Sequence, residues 1–420
     1  MSTNYSKLVF TAGLALFVVR WEPAPFDICI LLLALALATR LPSRKVRSWV
    51  AEMPLAAFYL YGYVFFSILS LLFSTHVRSA CLYLGITVYL VFAYLVLVST
   101  LNNDRVARQA LSHGYILATL ISAVLGVLAI RLNHIYDFDI LLYGGARAQG
   151  LFKDPNVYGP FLVPSILAMV SRIFVIDNPA FSCGCLILLV FALIFSFSRG
   201  AWLNLAVGMF VWLLVDFRTV LARPRRAVGL LLLLMLTLCI YVSYSDVSYL
   251  IQRLGFQAYD ADRFGTQALG IRLATRNILG IGPGEFEASI RYASHNTYIR
   301  LLAENGWFAF IFFIAFVSTV TLRLANGVSL WNRSAKLGRL DVNHGMSPPV
   351  ILASMFGLLI NSFFVDTLHW RHFWVILALG SLDYKEAKKY EGLASSIHYS
   401  IQPERWLESK SRRKKGQLRK

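Results

Sequence analysis

Charged residues are scarce in this chain. They make up 15% of its 420 residues, whereas hydrophobic residues make up 57%. A soluble domain typically has about 25% charged residues. A soluble protein of this length has too little interior to hide so much apolar surface. The composition therefore excludes an ordinary soluble class and predicts an all-α polytopic membrane protein.

Cysteines are few as well. The five cysteines lie in or beside apolar runs, and an odd number without a regular spacing gives no disulfide framework. Cys183 and Cys185 have no second pair of ligands nearby in the sequence, so they do not indicate a zinc site. We interpret the cysteines as small core residues.

Phosphate-loop and metal motifs are also missing. The glycine-rich segment Gly280–Phe286 lacks the lysine and the Ser/Thr of a P-loop, so we interpret it as a helix stop and a rigid turn. The acidic pairs Asp137/Asp139 and Asp260/Asp262 have a spacing found in some metal sites, but so short a pattern often arises by chance. We therefore predict no metal and no other cofactor.

Long apolar runs fill most of the chain. A span needs about 20 mostly apolar residues to cross a hydrocarbon layer of roughly 30 Å. About twelve runs qualify, or about ten if the two short N-terminal runs do not cross. The runs are Leu8–Val19, Phe26–Ala38, Leu55–Phe73, Ala80–Ser99, Leu111–Ile130, Val157–Val170, Phe181–Phe197, Trp202–Val215, Ala227–Tyr244, Trp307–Leu322, Pro349–Val365 and Phe373–Leu382.

Basic residues predict the orientation, because cytoplasmic loops of membrane proteins are enriched in Lys and Arg. The chain has 40 basic and 22 acidic residues, and most basic clusters fall on one side if the spans alternate. We predict that this side is the cytoplasm and that both termini lie there. Residues 1–383 would form the transmembrane domain and residues 384–420 a basic cytoplasmic tail. A disordered tail with no nucleic acid partner is favoured over one that binds nucleic acid or anionic lipid.

Two loops on the opposite, outer side are longer than a connection requires. They cover residues 132–156 and 245–294, contain aromatic and apolar residues, and are predicted to pack over the outer face. In the second loop, apolar residues at helical spacing between Asp262 and Asn277 predict an amphipathic helix on the outer leaflet. We therefore predict that the functional site lies on the outer face.

Both long loops and the short outer turn at residues 198–200 contain arginines. Arg147 lies beside Gly144 and Gly145, which permit close backbone approach, and this favours an anion contact. Arg199 stands between two spans; it could merely snorkel, but charges at membrane depth are usually paired or functional. Asn156 belongs to a helix-entry signal and serves equally well as part of a cap or of a site.

The segment SHNTYIRLLAENG leads from the second loop into an apolar run. If a helix begins near Asn296, then Asn296, Arg300 and Glu304 lie on one stripe. Arg300 and Glu304 would then neutralise each other as a structural ion pair at the bilayer margin. His295 would lie at the mouth of this helix. Histidines in such places are commonly caps, but its position among the other motif-like segments favours a functional role.

These segments together resemble the O-antigen ligase superfamily of bacterial envelope proteins, which includes ligases and polysaccharide polymerases. The resemblance spans about residues 147–310. It is carried by RAQGLFKDPNVYG, FSRGAWLNLAVG, DRFGTQALG followed by NILGIGPGEF, and SHNTYIRLLAENG. Ala309 stands where the ligase histidine motif usually has a second glycine, which leaves ligase and polymerase both open.

The resemblance implies a metal-independent, inverting glycosyltransferase at the periplasmic face of the bacterial inner membrane. The donor would be a glycan on undecaprenyl diphosphate, and the acceptor a hydroxyl of lipid A-core or of another lipid-linked glycan. It implies that Arg147, Arg199 and Arg263 hold the diphosphate and that His295 serves the acceptor hydroxyl. Asn296, Arg300, Glu304 and Asn156 would support them.

A transporter or flippase is the main alternative. Such proteins tend to place ionisable or helix-breaking residues at the midplane and to show internal repeats. This chain keeps its charged candidates at the outer helix ends, and no repeat is visible. An assembly scaffold is a third possibility, although it would not need a basic pocket outside.

Overall fold

The computed structural model describes residues 3–39, 52–102, 104–133, 135–136, 138–244, 247–255, 257–336 and 345–384. Nearly all of the predicted basic tail, from residue 385 onward, lies outside these ranges, as does Asp137 of the first acidic pair. Helix makes up 78% of the structure, and sheet is almost absent, which confirms the all-α class.

The helices follow one another with short connections at most joints. In chain order they are α1 Thr3–Leu14, α2 Pro25–Ala38, α3 Pro54–Ser70, α4 Val77–Leu101, α5 Arg105–Leu132, α6 Pro155–Val175, α7 Ala180–Phe195, α8 Arg199–Leu221, α9 Pro224–Tyr244, α10 Val247–Leu254, α11 Ala258–Arg276, α12 Glu285–Ile290, α13 Thr297–Arg300, α14 Gly306–Lys336, α15 Pro348–Asn361 and α16 Arg371–Gly380. A π-helical turn, Leu301–Asn305, joins α13 to α14. One small antiparallel pair, β1 Leu142–Tyr143 and β2 Arg147–Ala148, lies in the first long loop.

Every predicted apolar run coincides with a helix. Among the described residues, seven helices are long and apolar enough to cross a membrane, and three more, Pro25–Ala38, Ala180–Phe195 and Pro348–Asn361, are apolar but shorter. The protein is therefore a polytopic membrane protein, whereas the number of crossings and their direction stay predictions. Large apolar side chains such as Phe65, Leu231 and Met235 are exposed on the helix bundle, which suits a lipid environment better than water.

Helix α6 is the centre of the bundle. In its apolar window 89% of the residues are buried, compared with 11% in the window of α9, which lies at the edge. Pro160 and Pro164 fall inside α6. Prolines are tolerated inside a spanning helix when neighbouring groups satisfy the freed carbonyls. Next to Pro160, Tyr115 of α5 donates a hydrogen bond to the carbonyl of Phe161 at 3.0 Å, which ties α5 to α6.

Helices α8 and α15 cross through a reciprocal pair of glycines and asparagines. A Cβ placed on Gly200 would come within 2.6 Å of Asn361 Oδ1, and one placed on Gly357 would come within 2.1 Å of Asn204 Oδ1. Each glycine therefore leaves the space that the amide of the other helix occupies. Small residues allow such close backbone approach between membrane helices, and this crossing brings the start of α8 to the end of α15.

The two N-terminal helices are part of the bundle. The carboxylate of Asp27 in α2 accepts hydrogen bonds from Arg371 Nε at 2.8 Å and Arg371 Nη2 at 2.7 Å, and another from the Tyr89 hydroxyl at 2.7 Å. Bidentate guanidinium–carboxylate pairs of this kind are strong, and they fix the relative orientation of the two side chains. The ion pair ties α2 to α4 and α16, so the first helices are packed against the later ones whether or not they cross.

Candidate functional site

His295 is held at the mouth of a spanning helix. Its backbone has a φ of +50°, a left-handed conformation that is uncommon outside glycine. The next residue, Asn296, caps the helix: its Oδ1 accepts from the backbone N–H groups of Tyr298 at 3.0 Å and Ile299 at 3.1 Å. The strained backbone and the cap together fix a half-buried imidazole at the end of the bundle that carries the long loops, here called the loop end.

Arg300 is the centre of a buried ion-pair network. Its guanidinium contacts Glu304 at 3.1 Å, Glu287 at 3.1 Å and Asp366 at 2.6 Å, and it lies 4.1 Å from the centre of the Tyr83 ring. The side chain of Arg300 is 4% exposed and that of Glu304 is not exposed. The predicted ion pair between Arg300 and Glu304 is present, but two further carboxylates share the same cation.

Glu304 also anchors the glycine-rich turn. Its carboxylate accepts from the backbone N–H of Gly284 at 2.8 Å and of Phe286 at 3.1 Å. Gly280 and Gly306, both with φ near +85°, stack so closely that a Cβ on Gly280 would lie 2.2 Å from Glu304 O and one on Gly306 would lie 2.5 Å from Ile278 O. The segment interpreted as a rigid turn is therefore docked on the π-helical turn below His295.

Arg147 and Asn156 belong to one buried cluster. Arg147 Nε donates to the carbonyl of Ser196 at 3.0 Å, and Arg147 Nη2 donates to Asn156 Oδ1 at 3.2 Å. The same amide oxygen accepts from the hydroxyl of Ser198 at 3.0 Å. Arg147 is buried, and its hydrogen bonds to Ser196 and Asn156 give it a structural role. Its contact with a diphosphate stays a prediction.

Arg199 and Arg263 lie closer to the surface than Arg147. Arg199 begins α8 directly after Ser198, whose side chain caps that helix, and Phe197 before it has a φ of +46°. Arg199 Nη2 contacts Asp260 Oδ1 at 2.6 Å, and Arg199 Nη1 donates to the carbonyl of Gly255 at 3.2 Å. The start of α8 therefore resembles that of α13. In each case a residue with a left-handed backbone, Phe197 or His295, is followed by a residue whose side chain caps the helix.

Electrostatic interactions connect His295 to the arginine cluster. Burial lowers the pKa of His295, and the positive charge of Arg263 lowers it further, while Asp154 and the carboxylates Glu287 and Asp366 oppose the shift. Arg263 also acts on Asp260, the partner of Arg199. The charge of Arg263 thus acts both on His295 and on Asp260, the ion-pair partner of Arg199. Arg147 and Asn156 reach the same region through Ser198, which directly precedes Arg199.

Asp366 is a residue of the site that the sequence analysis missed. It lies in the connection between α15 and α16, where it accepts from Arg300 and from the Tyr83 hydroxyl at 3.0 Å. The same connection holds the start of α13, because the backbone N–H of Thr297 donates to the carbonyl of Ser362 at 2.9 Å. The sequence shows an acidic residue at the end of an apolar run, which could have indicated a functional residue. Asp366 is 66 residues from Arg300, so the sequence could not indicate that the two form an ion pair.

Glu285 forms a second contact that the sequence did not predict. Its buried carboxylate accepts from Ser74, from the Thr75 hydroxyl at 3.0 Å, from His76 and from the Ser289 hydroxyl at 3.0 Å. Burial alone would raise the pKa of Glu285, but these hydrogen bonds outweigh it and lower the pKa to about 2. The carboxylate therefore ties α12 to the turn between α3 and α4.

Within the described part of the chain, the acidic residues Asp139, Asp260 and Asp262 do not form a metal site. No group of three or more His, Cys, Asp or Glu side chains is arranged to hold a metal ion there. Asp260 is occupied by Arg199 and by the backbone N–H of Gln257 at 2.9 Å. Burial raises the pKa of Asp260, but the hydrogen bond from Arg199 and the other contacts outweigh it and lower the pKa.

The predicted amphipathic helix is present as α11, from Ala258 to Arg276. Most of its predicted apolar stripe points away from the protein: Phe264 is 61% exposed and Ile271 is 51% exposed, and Ala268 is exposed as well. Ala274 is the exception, because it is buried. An outward apolar stripe is expected of a helix that lies on a lipid surface, so contact with the outer leaflet stays a prediction that this geometry favours.

Comparison with known families gives a match to the central part of the chain. Residues 184–314 match the family model described as O-antigen ligase, which confirms the predicted resemblance to that ligase and polymerase superfamily. Arg199, Arg263, His295, Arg300 and Glu304 fall inside the matched range, whereas Arg147 and Asn156 precede it. No curated protein matches the chain.

Proposed function

We propose that this protein transfers a glycan from a lipid-linked diphosphate to an acceptor hydroxyl at the loop end of the bundle, as an O-antigen ligase does. The donor would be a glycan on undecaprenyl diphosphate, and the acceptor a sugar of lipid A-core. The observation that carries the proposal is that partly exposed arginines and a half-buried histidine lie within the residues that match the ligase family. Arg199 contacts Asp260, and the charge of Arg263 acts on both Asp260 and His295.

The arginines suit a diphosphate leaving group. Guanidinium groups have forked donors that match phosphate oxygens. As the bond from the anomeric carbon to the diphosphate oxygen breaks, the diphosphate gains negative charge, and positive groups already in place stabilise that charge. Arg199 and Arg263 are partly exposed and would contact the diphosphate first. Arg147 would add its charge from the interior, where it also holds Asn156 in place.

The imidazole of His295 suits the acceptor. A lowered pKa keeps it neutral near pH 7, and a neutral imidazole can take the proton of an attacking hydroxyl. The acceptor oxygen would bond to the anomeric carbon from the side opposite the diphosphate, which inverts that centre. Protein groups supply every step of this scheme, so the proposed reaction needs no metal ion.

The location of the reaction follows from the nature of the donor. Nucleotide sugars are absent outside the cytoplasmic membrane, so a transferase that works there needs a glycan carried on a lipid. We therefore propose a multi-pass protein of the bacterial inner membrane with its loop end in the periplasm. The exposed apolar stripe of α11 would rest on the outer leaflet, which places the neighbouring arginines at the depth of lipid diphosphates.

A gel of envelope polysaccharide from a strain that lacks this protein tests the proposal. A ligase predicts loss of all long glycan from lipid A-core, with accumulation of long chains on the carrier lipid. A core that carries a single repeat unit indicates a polymerase of the same superfamily instead. If lipid-linked glycan accumulates only on the cytoplasmic side, the protein is a transporter and the proposal is wrong.

The pH dependence of transfer tests the assignment of His295 as the base. A base must be deprotonated, so activity is lost as the pH falls through the His295 pKa, which lies below the usual 6.5. Arg263 lowers that pKa, so Arg263→Gln raises it and moves the acidic limb of kcat/KM to higher pH. Arg272→Gln is the control, because it removes an exposed charge from the same helix. A limb that stays in place in Arg263→Gln contradicts the assignment.

A further inference from the structure

The carboxylate of Asp260 lies among the cations proposed to hold the donor diphosphate. Its Oδ1 is 2.6 Å from Arg199 Nη2, and its side chain is 11% exposed, compared with 30% for Arg199. Arg263, one helical turn further along α11, acts on the same carboxylate. A negative group thus already occupies part of the proposed anion site.

The two oxygens of Asp260 have different tasks. Oδ2 accepts from the backbone N–H of Gln257 at 2.9 Å and closes the first turn of α11, as acidic residues at the third helical position commonly do. Oδ1 contacts Arg199. If Arg199 turned to another anion, the hydrogen bond that stabilises the helix would remain. The ion pair can therefore open without unfolding the start of α11.

We infer that Asp260 is a displaceable counter-ion of Arg199, which the diphosphate of the donor replaces on binding and which returns when the product leaves. The inference rests on the proposed function, because it assigns Arg199 to the diphosphate. Before binding, Asp260 keeps Arg199 oriented and neutralised beside α11. After transfer, the free prenyl diphosphate carries one more negative charge than the donor, and the returning carboxylate competes with it for Arg199.

This exchange has a consequence for turnover. A site made only of cations would bind the more highly charged product more tightly than the donor, and product release would then limit the rate. When Asp260 pairs with Arg199 again, the affinity of the site for the product falls. Removal of its charge should therefore lower both KM and kcat, a combination that loss of a merely structural contact does not produce.

Binding of farnesyl diphosphate, a short soluble prenyl diphosphate, tests the inference on the full-length protein in detergent. Asp260→Asn keeps an oxygen for the Gln257 N–H and removes the charge. We expect its dissociation constant for farnesyl diphosphate to fall by about fivefold or more, the lower end of typical coupling factors. Asp262→Asn is the matched control, because it removes an exposed charge two residues away in the same helix and should leave binding unchanged.

A second neutral variant guards against a local folding defect. Asp260→Gln can still reach back to the backbone at the start of the helix, and it should tighten binding in the same direction. Unchanged or weaker binding in both variants, with normal binding by the native protein, overturns the counter-ion role alone. If native protein and variants all fail to bind farnesyl diphosphate, the proposed donor site fails, and the inference fails with it.

Discussion

His295→Asn should reduce glycan transfer by about a hundredfold to ten-thousandfold, the range usual for loss of a general base. Asparagine is chosen because it tolerates the left-handed backbone that His295 adopts, so the change removes the imidazole without adding strain. The substituted amide cannot take a proton from the acceptor hydroxyl at neutral pH. Transfer from a lipid-linked donor to acceptor, followed with the purified protein, gives the rate.

Two controls separate chemistry from folding in that experiment. His113→Asn makes the same substitution at an exposed histidine of α5, and it should leave the rate unchanged. Binding of farnesyl diphosphate should also persist in His295→Asn, because the arginines are intact. A folded His295→Asn protein that transfers glycan at the native rate would remove His295 from the proposed mechanism.

Arg300→Met should destabilise the protein by about 3–5 kcal/mol, the cost typical of leaving a buried partner charge uncompensated. Arg300 is the shared cation of Glu304, Asp366 and Glu287, and its own side chain is 4% exposed. Methionine fills similar space, so the loss reflects charge and not a cavity. Denaturant unfolding of the protein in detergent micelles measures the change in the free energy of unfolding.

Comparison with milder variants identifies the cause. Arg272→Met, at an exposed position of α11, should change the stability by less than about 0.5 kcal/mol. Arg300→Met combined with Glu304→Gln should recover part of the lost stability. The double variant has an uncharged amide where Arg300→Met alone leaves a buried carboxylate without its cation. Equal stabilities of Arg300→Met and the native protein would mean that the network contributes nothing to the fold.

The stability network and the proposed site share one framework. Arg300 holds Asp366 and Glu287, both of which act on His295. Glu304 holds the turn at Gly284, which follows α11 and its Arg263. Loss of Arg300 should therefore impair activity through the position of His295, whereas loss of His295 should leave stability almost unchanged. The two substitutions thus separate support of the site from its chemistry.

Helix positions could be predicted from the sequence, because they depend on local patterns. Apolar runs coincide with all of the spanning and short apolar helices. The helix entries expected near Asn156 and Asn296 are also present, with Asp154 and Asn296 as the capping residues. The pair of Arg300 and Glu304 was equally accessible, since residues four apart lie on one face of a helix. In each case the residues that interact are near neighbours in the chain.

Contacts between distant segments could not be predicted in the same way. Asp366 lies far from Arg300 in the sequence, and Glu285 lies far from the Ser74 turn that it binds. The acidic residue Asp260 was considered as a metal ligand, yet its oxygens belong to Arg199 and to its own helix cap. A carboxylate on its own gives no indication of which cation it will meet.

The sequence by itself determined the membrane class, the helices, the family resemblance and the identity of the chemical groups, because hydrophobicity, caps and motifs are properties of short stretches of chain. Only the tertiary structure decided which charges neutralise one another: Arg147 turned inward to Asn156, Arg199 paired with Asp260, and Arg300 was shared among three carboxylates. The physical reason is that a buried charge must find a partner wherever the packing of the helices brings one close, and that packing joins residues far apart in the sequence.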